Sequence, residues 1–169
     1  MKEDIKEVLF SSDTLSEKVR ELAEKISEDY KGKDLVVVGI LKGSVIFAAE
    51  LIKNISIQCE IDFMAVSSYG NSTETSGVVR ILKDLDSNIE GKDILIVEDI
   101  VDTGTTLKYL LGYLKARKAN SIEIVSLLNK PARRKVELDV KYIGFEVPDA
   151  FIVGYGIDYA ERYRNLPYI

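Results

Sequence analysis

The sequence predicts an α/β fold, a parallel twisted sheet flanked by helices, from two stretches of the same design. Residues 35–40 (Leu-Val-Val-Val-Gly-Ile) and 94–97 (Ile-Leu-Ile-Val) are continuous apolar runs, short enough for strands buried on both faces. Each ends in a polar loop, and each loop opens an apolar-periodic segment, at about 45–53 and 107–116. Strand, loop and helix repeated in this order build parallel sheets, and such sheets bind ligands at the carboxyl ends of their strands.

The elements follow in order. Residues 5–10 read as a short strand. Ser11, Ser12 and Asp13 are cap candidates for a helix whose face carries Leu15, Val19, Leu22, Ile26 and Tyr30. Gly32 stands where a left-handed C-cap belongs. Residues 35–40 form the first buried strand, followed by Leu41-Lys42-Gly43-Ser44 and an apolar helix. Residues 57–65 alternate as a third strand. Residues 67–77 carry no aliphatic side chain and read as a mobile loop. A strand resumes at 78–82, and another follows the central helix at 121–128. The last third, from Tyr142, is aromatic, glycine-punctuated and strand-like. It reads as a hairpin completing a small subdomain with the N-terminal strand.

Composition narrows the function. The chain has 169 residues, enough for one domain with a real core, and a net charge of -5. That charge argues against nucleic acid held by its backbone. There is no run of about 18 apolar residues for a membrane span, and no signal-peptide core behind the N-terminus. A single cysteine, Cys59, forms no internal disulfide and suits a cytoplasmic location. The chain has no histidine. Ser-His-Asp and Cys-His hydrolysis and histidine zinc sites are therefore excluded, and any general base is Asp, Glu, Lys, Tyr, Cys or the substrate.

The chemistry concentrates in residues 94–106, Ile-Leu-Ile-Val-Glu-Asp-Ile-Val-Asp-Thr-Gly-Thr-Thr. A Gly-Thr-Thr loop opening a helix offers free N–H groups, hydroxyls and the positive end of the dipole, which suits a phosphate. The acids Glu98, Asp99 and Asp102 do not. A carboxylate about 5 Å from a phosphate charge, at an effective dielectric near 20, is repelled by roughly 3 kcal/mol. Helix capping does not require three acids. Binding sugar hydroxyls and a divalent metal, or stabilising developing positive charge, does use them. No Walker A loop is present. Lys42, at the tip of the first loop, brings a cation beside backbone N–H groups, as a diphosphate requires; taken alone Lys-Gly-Ser reads as a plain turn, and the second loop beside it gives the phosphate reading its weight.

Four apolar residues, two acids, two apolar residues and Asp-Thr-Gly-x-Thr resemble the phosphoribosyl-pyrophosphate motif of the purine type I phosphoribosyltransferases. From about Leu35 to Arg164 the chain is most similar to hypoxanthine-guanine phosphoribosyltransferases of the short bacterial type. The resemblance implies a core at about 11–140 and a small hood built from about 1–10 and 141–169. It implies transfer of phosphoribosyl to a 6-oxopurine, giving IMP or GMP. Thr103, Gly104, Thr105 and Thr106 would grip the 5'-phosphate, and Glu98 and Asp99 the ribose, partly through Mg2+. Lys42, Gly43 and Arg164 would receive pyrophosphate, with a cis peptide before Lys42. Asp102 would be the general base at N7. Lys130 would read the 6-oxo group, Phe151 would stack on the base, and Ile152 and Asp158 would complete its pocket, Asp158 also near the metal. Ser68 and Tyr69 would belong to a lid that keeps water from the reacting sugar. Ser44 departs from a glycine found in some members, and Arg133 and Arg134 read as a solvated basic turn. The implied partners are small molecules and a second copy of the chain, as dimer or tetramer. A xanthine-preferring enzyme and a non-catalytic nucleotide-sensing regulator are the rival readings.

Overall fold

The computed structural model describes residues 2–68 and 79–169. Tyr69 and most of the expected lid loop lie outside the described residues; Ser68 is the last residue of its strand.

Helix α1 (Ser12–Asp29) starts where the Ser11 hydroxyl accepts the Thr14 N–H at 3.2 Å. Its stripe of Leu15, Val19, Leu22 and Ile26 is fully or almost fully buried. Gly32, with φ +76°, turns the chain into β1 (Leu35–Leu41). There follow α2 (Val45–Asn54), β2 (Glu60–Ser68), β3 (Val79–Lys83), β4 (Asp93–Val101), α3 (Thr105–Lys115), β5 (Ser121–Asn129) and β6 (Tyr142–Glu146).

The six strands form one sheet in the order β3-β2-β1-β4-β5-β6. Every pairing is parallel except the antiparallel edge β2–β3. Alternate residues of β1, β4 and β5 feed two cores. Leu35, Val37, Leu95, Val97, Val125 and Leu127 pack under α1 and α2. Val36, Val38, Ile94, Ile96 and Ile124 pack under Leu107, Leu110 and Leu114 of α3. Burial on both faces is why these strands read as unbroken apolar runs.

Three expectations are corrected. Residues 5–10 are not a strand; instead the Leu9 and Phe10 N–H groups donate to the Ile169 carbonyl at 2.8 and 3.1 Å, and Ile169 N–H returns to Phe10 at 3.0 Å. Tyr142–Glu146 joins the main sheet beside β5 rather than a separate hairpin, so the sheet extends past residue 140. The segment beyond has isolated bridges, Gly154 to Ile157 and Tyr159 to Arg162. Positive φ at Tyr155, Ala160, Glu161 and Tyr163 explains this, because a left-handed residue cannot continue a ladder.

Candidate active site

The parallel strands β1, β4 and β5 end on the same edge of the sheet, and the chemistry-bearing residues follow those ends. Lys42 comes directly after β1, and Lys130 comes directly after β5. Glu98 and Asp99 follow the last β4 residue paired with β1, Val97, but lie inside β4, which runs on beside β5 to Val101 rather than stopping at the acids. The Val101 carbonyl accepts the Lys130 N–H at 2.9 Å, tying the second end to the third.

The β1–α2 loop has a cis Leu41-Lys42 peptide. Ser44, the departure from glycine, is fully buried and donates its hydroxyl to the Ile40 carbonyl at 2.7 Å, so it closes the loop. Gly43 lies hard against Asp99: a Cβ there would stand 2.0 Å from Asp99 Oδ2. Only glycine lets the loop backbone approach the acid so closely. The hood meets the same point, since a Cβ on Gly156 would fall 2.2 Å from the Gly43 carbonyl oxygen.

Glu98 is 9% exposed, and Asp99 accepts the N–H of Ile100 at 2.8 Å. Burial, and then the charge of Asp99 beside it, push the Glu98 carboxyl well above the usual range. Burial also raises Asp99, against the pull of the Ile100 N–H and of Arg164. Two adjacent acids under this strain are relieved by a cation or by hydroxyl donors. As hard oxygen ligands they fit Mg2+, which is usually held by one or two carboxylates and substrate oxygens. Asp158 does not join them: among the described residues no group of three metal-ligating side chains converges.

After β4, Gly104 at φ +82° caps α3, and no side chain caps the helix. The Thr103 and Thr105 hydroxyls lie 3.0 Å apart. A cavity of about 210 Å³ is lined by Glu98, Asp102, Thr103, Gly104 and Thr106, among others. Asp102 Oδ1 is buried without a hydrogen-bond donor among the described residues, although Arg133 Nε forms an ion pair 2.9 Å from it. Arg134 donates to the Asp102 carbonyl at 3.2 Å and to the Asn129 side chain. Both arginines therefore touch the acid loop, although Arg133 stays exposed in its turn, as read from the sequence. The signal was their place directly after the β5 end, beside β4.

Lys130 is 8% exposed, with Nζ donating to the Ala150 carbonyl at 2.8 Å. That bond leaves an ammonium two further donors. Phe151, next to Ala150, is 77% exposed and meets Tyr159 edge-on at 5.3 Å, whereas Ile152 is buried. A phenylalanine held out of the core beside a buried ammonium offers a flat base a face and a donor.

The hood carries an ion network. Arg164 Nη2 lies 3.1 Å from Asp158 Oδ1 and 3.3 Å from Glu161 Oε1, and Nη1 donates to the Gly156 carbonyl at 2.8 Å. Glu161 Oε2 also accepts from Lys42 Nζ at 2.9 Å. Lys42, and then Arg164, hold the Glu161 carboxyl below the usual range. Sequence reading missed Glu161, because an acid in a charged tail carries no spacing signal.

A family model described as "Phosphoribosyl transferase domain" matches residues 10–160. The chain is 56% identical over 169 residues to the hypoxanthine-guanine phosphoribosyltransferase of Bacillus subtilis, covering all of this chain and 94% of that one. It is 54% identical over its whole length to the bifunctional protein TilS/HprT of Listeria monocytogenes, and spans 26% of that longer protein. A crystal structure of a Staphylococcus aureus hypoxanthine phosphoribosyltransferase superposes with a TM-score of 0.97 at 55% identity, covering 99% of this chain and 91% of that one. An edge of β4 acids, a threonine loop and a facing lysine, joined to matches over nearly the whole chain, assigns the protein: it belongs to the phosphoribosyl transferase family.

Proposed function

We propose that the chain transfers the 5-phosphoribosyl group of phosphoribosyl pyrophosphate to N9 of a 6-oxopurine, hypoxanthine or guanine, giving IMP or GMP and pyrophosphate in purine salvage. The observation that carries this reading is the junction of Asp99 with the Gly43 backbone. It sets buried Glu98 and half-buried Asp99 between a cationic loop and the uncapped start of α3.

The roles follow. The hydroxyls and N–H groups of Thr103 to Thr106 hold the 5'-phosphate. Glu98 and Asp99 take the ribose hydroxyls and are the residues that would hold Mg2+. Mg2+, when bound, supplies charge neutralisation for the pyrophosphate. Lys42 and Arg164 receive pyrophosphate as it leaves, and the acids beneath the ribose stabilise positive charge developing at C1'. Asp102 accepts the N7 proton of the base. Phe151 stacks on the ring. The spare donors of Lys130 read the 6-oxo group, and an amino group there leaves those donors without an acceptor, which disfavours adenine. Asp158 and the Ile152 backbone close the base pocket, and Ser68 and Tyr69 belong to the lid. The reading carries a homo-oligomer, dimer or tetramer, and a cytoplasmic location. Among the described residues no helix is long and apolar enough to cross a membrane.

The test is to incubate the protein with phosphoribosyl pyrophosphate and Mg2+, offering hypoxanthine, guanine, xanthine and adenine separately, with and without EDTA. Metal-dependent IMP or GMP is the expected result. XMP as the main product would change the acceptor. No nucleotide from any base, with phosphoribosyl pyrophosphate still bound, would favour a nucleotide-sensing regulator.

A further inference from the structure

We infer that Glu161 is an internal competitor of pyrophosphate: its carboxylate occupies the two cations that receive the leaving group, and so sets how tightly that product is held. The inference rests on the leaving-group role of Lys42 and Arg164 proposed above.

One carboxylate spans both cations. Oε2 lies 2.9 Å from Lys42 Nζ, and Oε1 lies 3.3 Å from Arg164 Nη2. The pair joins residues 119 positions apart, so it forms only because the hood folds onto the β1–α2 loop. Gly156 packs against the Gly43 carbonyl at the same junction, fixing the hood close to the loop. Arg164 is anchored from behind, through Nη1 to the Gly156 carbonyl. Its Nε is buried without a hydrogen-bond partner among the described residues, so Nη1 and Nη2 make the contacts of this guanidinium.

The ion pair is built to yield. Lys42 and Glu161 are about two-thirds exposed, at 67% and 65%. Exposed pairs are worth little, because water screens them and two long side chains must be held still. A multiply charged anion can therefore displace the carboxylate. Each displacement has a cost, and the returning carboxylate helps expel the product. Asp158 does not share this role. It faces Arg164 from its own side and accepts the Glu161 N–H at 2.8 Å, which shapes the turn. Glu161 thus acts through Lys42 and Arg164 and is a positioning residue.

A merely structural Glu161 would clamp the hood, and its loss would weaken pyrophosphate binding. Competition gives the opposite sign. The experiment is calorimetric titration of pyrophosphate with Mg2+ into the wild-type chain, Glu161→Gln, Glu161→Asp and Lys42→Ala. The inference expects Glu161→Gln to bind pyrophosphate roughly three- to tenfold more tightly, the range set by losing one or two exposed ion pairs. Glu161→Asp, which keeps the charge, should stay nearer wild type, and the KM for the base should be unchanged in Glu161→Gln. Equal or weaker binding by Glu161→Gln, with wild type binding and Lys42→Ala impaired, would overturn the inference alone. Unimpaired binding by Lys42→Ala, or no binding by wild type, would overturn the leaving-group assignment and the inference with it.

Discussion

Two buried acidic regions on neighbouring halves of the sheet behave in opposite ways. Asp62 on β2 is 4% exposed. Its carboxylate accepts N–H groups from Phe63 at 2.8 Å, Asp86 at 2.9 Å and Ser87 at 3.4 Å, with Lys83 at 3.7 Å. Burial alone would raise this carboxyl, but those donors and the lysine hold it below its ordinary value. Glu98 in the second half of β4 is comparably buried, and its strongest neighbour is another acid, so it moves upward. The lesson concerns donors rather than burial. A carboxylate supplied with backbone N–H groups is part of the fold, and its satisfaction is internal. A pair of carboxylates pressed together on a strand is held ready for something the fold does not itself provide.

The comparison breaks most sharply at Asp102, the third acid of the β4–α3 region. Asp102→Asn should lower kcat by roughly 10²-fold or more, with little change in Tm, because an amide keeps the shape and loses the base. Unchanged turnover would remove Asp102 from that role and leave the Arg133 pair as its only business. Asp62→Ala should do the reverse. It leaves several buried donors without an acceptor, at about 1–3 kcal/mol for the first alone, and should lower Tm by several degrees while kcat holds. A fall in kcat with Tm unchanged would mean that β2 reaches the chemistry after all.

Glu98→Gln sharpens the contrast within one residue. The substitution removes a carboxyl already displaced towards protonation, so the protein should be as stable as wild type at neutral pH, or more stable by about 1 kcal/mol, while metal-dependent turnover falls. A drop of several degrees in Tm, read by calorimetry without metal, would show that Glu98 is as structural as Asp62.

The parts legible in the sequence were those set by local pattern. Both buried strands, the stripe on α1 and the acid–threonine loop follow from periodicity and residue chemistry. The order of strands does not, because parallel pairing joins residues far apart in the chain. The hood was misread as a hairpin with a terminal strand. Its backbone is governed by positive φ at Tyr155, Ala160, Glu161 and Tyr163, which are not residue types that announce it. At the site, the acids of β4 announced themselves by adjacency. Arg133 and Glu161 did not, since each acquires its partner, Asp102 or Lys42, only when distant loops meet.

The smallest expected effect lies in the acid limb of the stability curve. The folded value of Asp62 is depressed, so below it the native and unfolded chains both bind the proton, and above the unfolded value of about 3.9 neither does. Between the two, the unfolded chain binds more. The stabilisation is therefore complete above about pH 4 and is lost as pH falls through the folded value, with a slope of at most about 1.4 kcal/mol per pH unit from this one proton. Asp62→Asn should flatten that limb, measured by urea unfolding between about pH 2 and 5, and leave the profile above it parallel to wild type. Glu98→Gln should leave the same limb steep, because Glu98 moves in the opposite direction and loses its preference for the folded state only as pH rises. If Glu98→Gln flattens the acid limb instead, the carboxylate of Glu98 is the one held ionised in the fold, and the two acidic regions are not opposites.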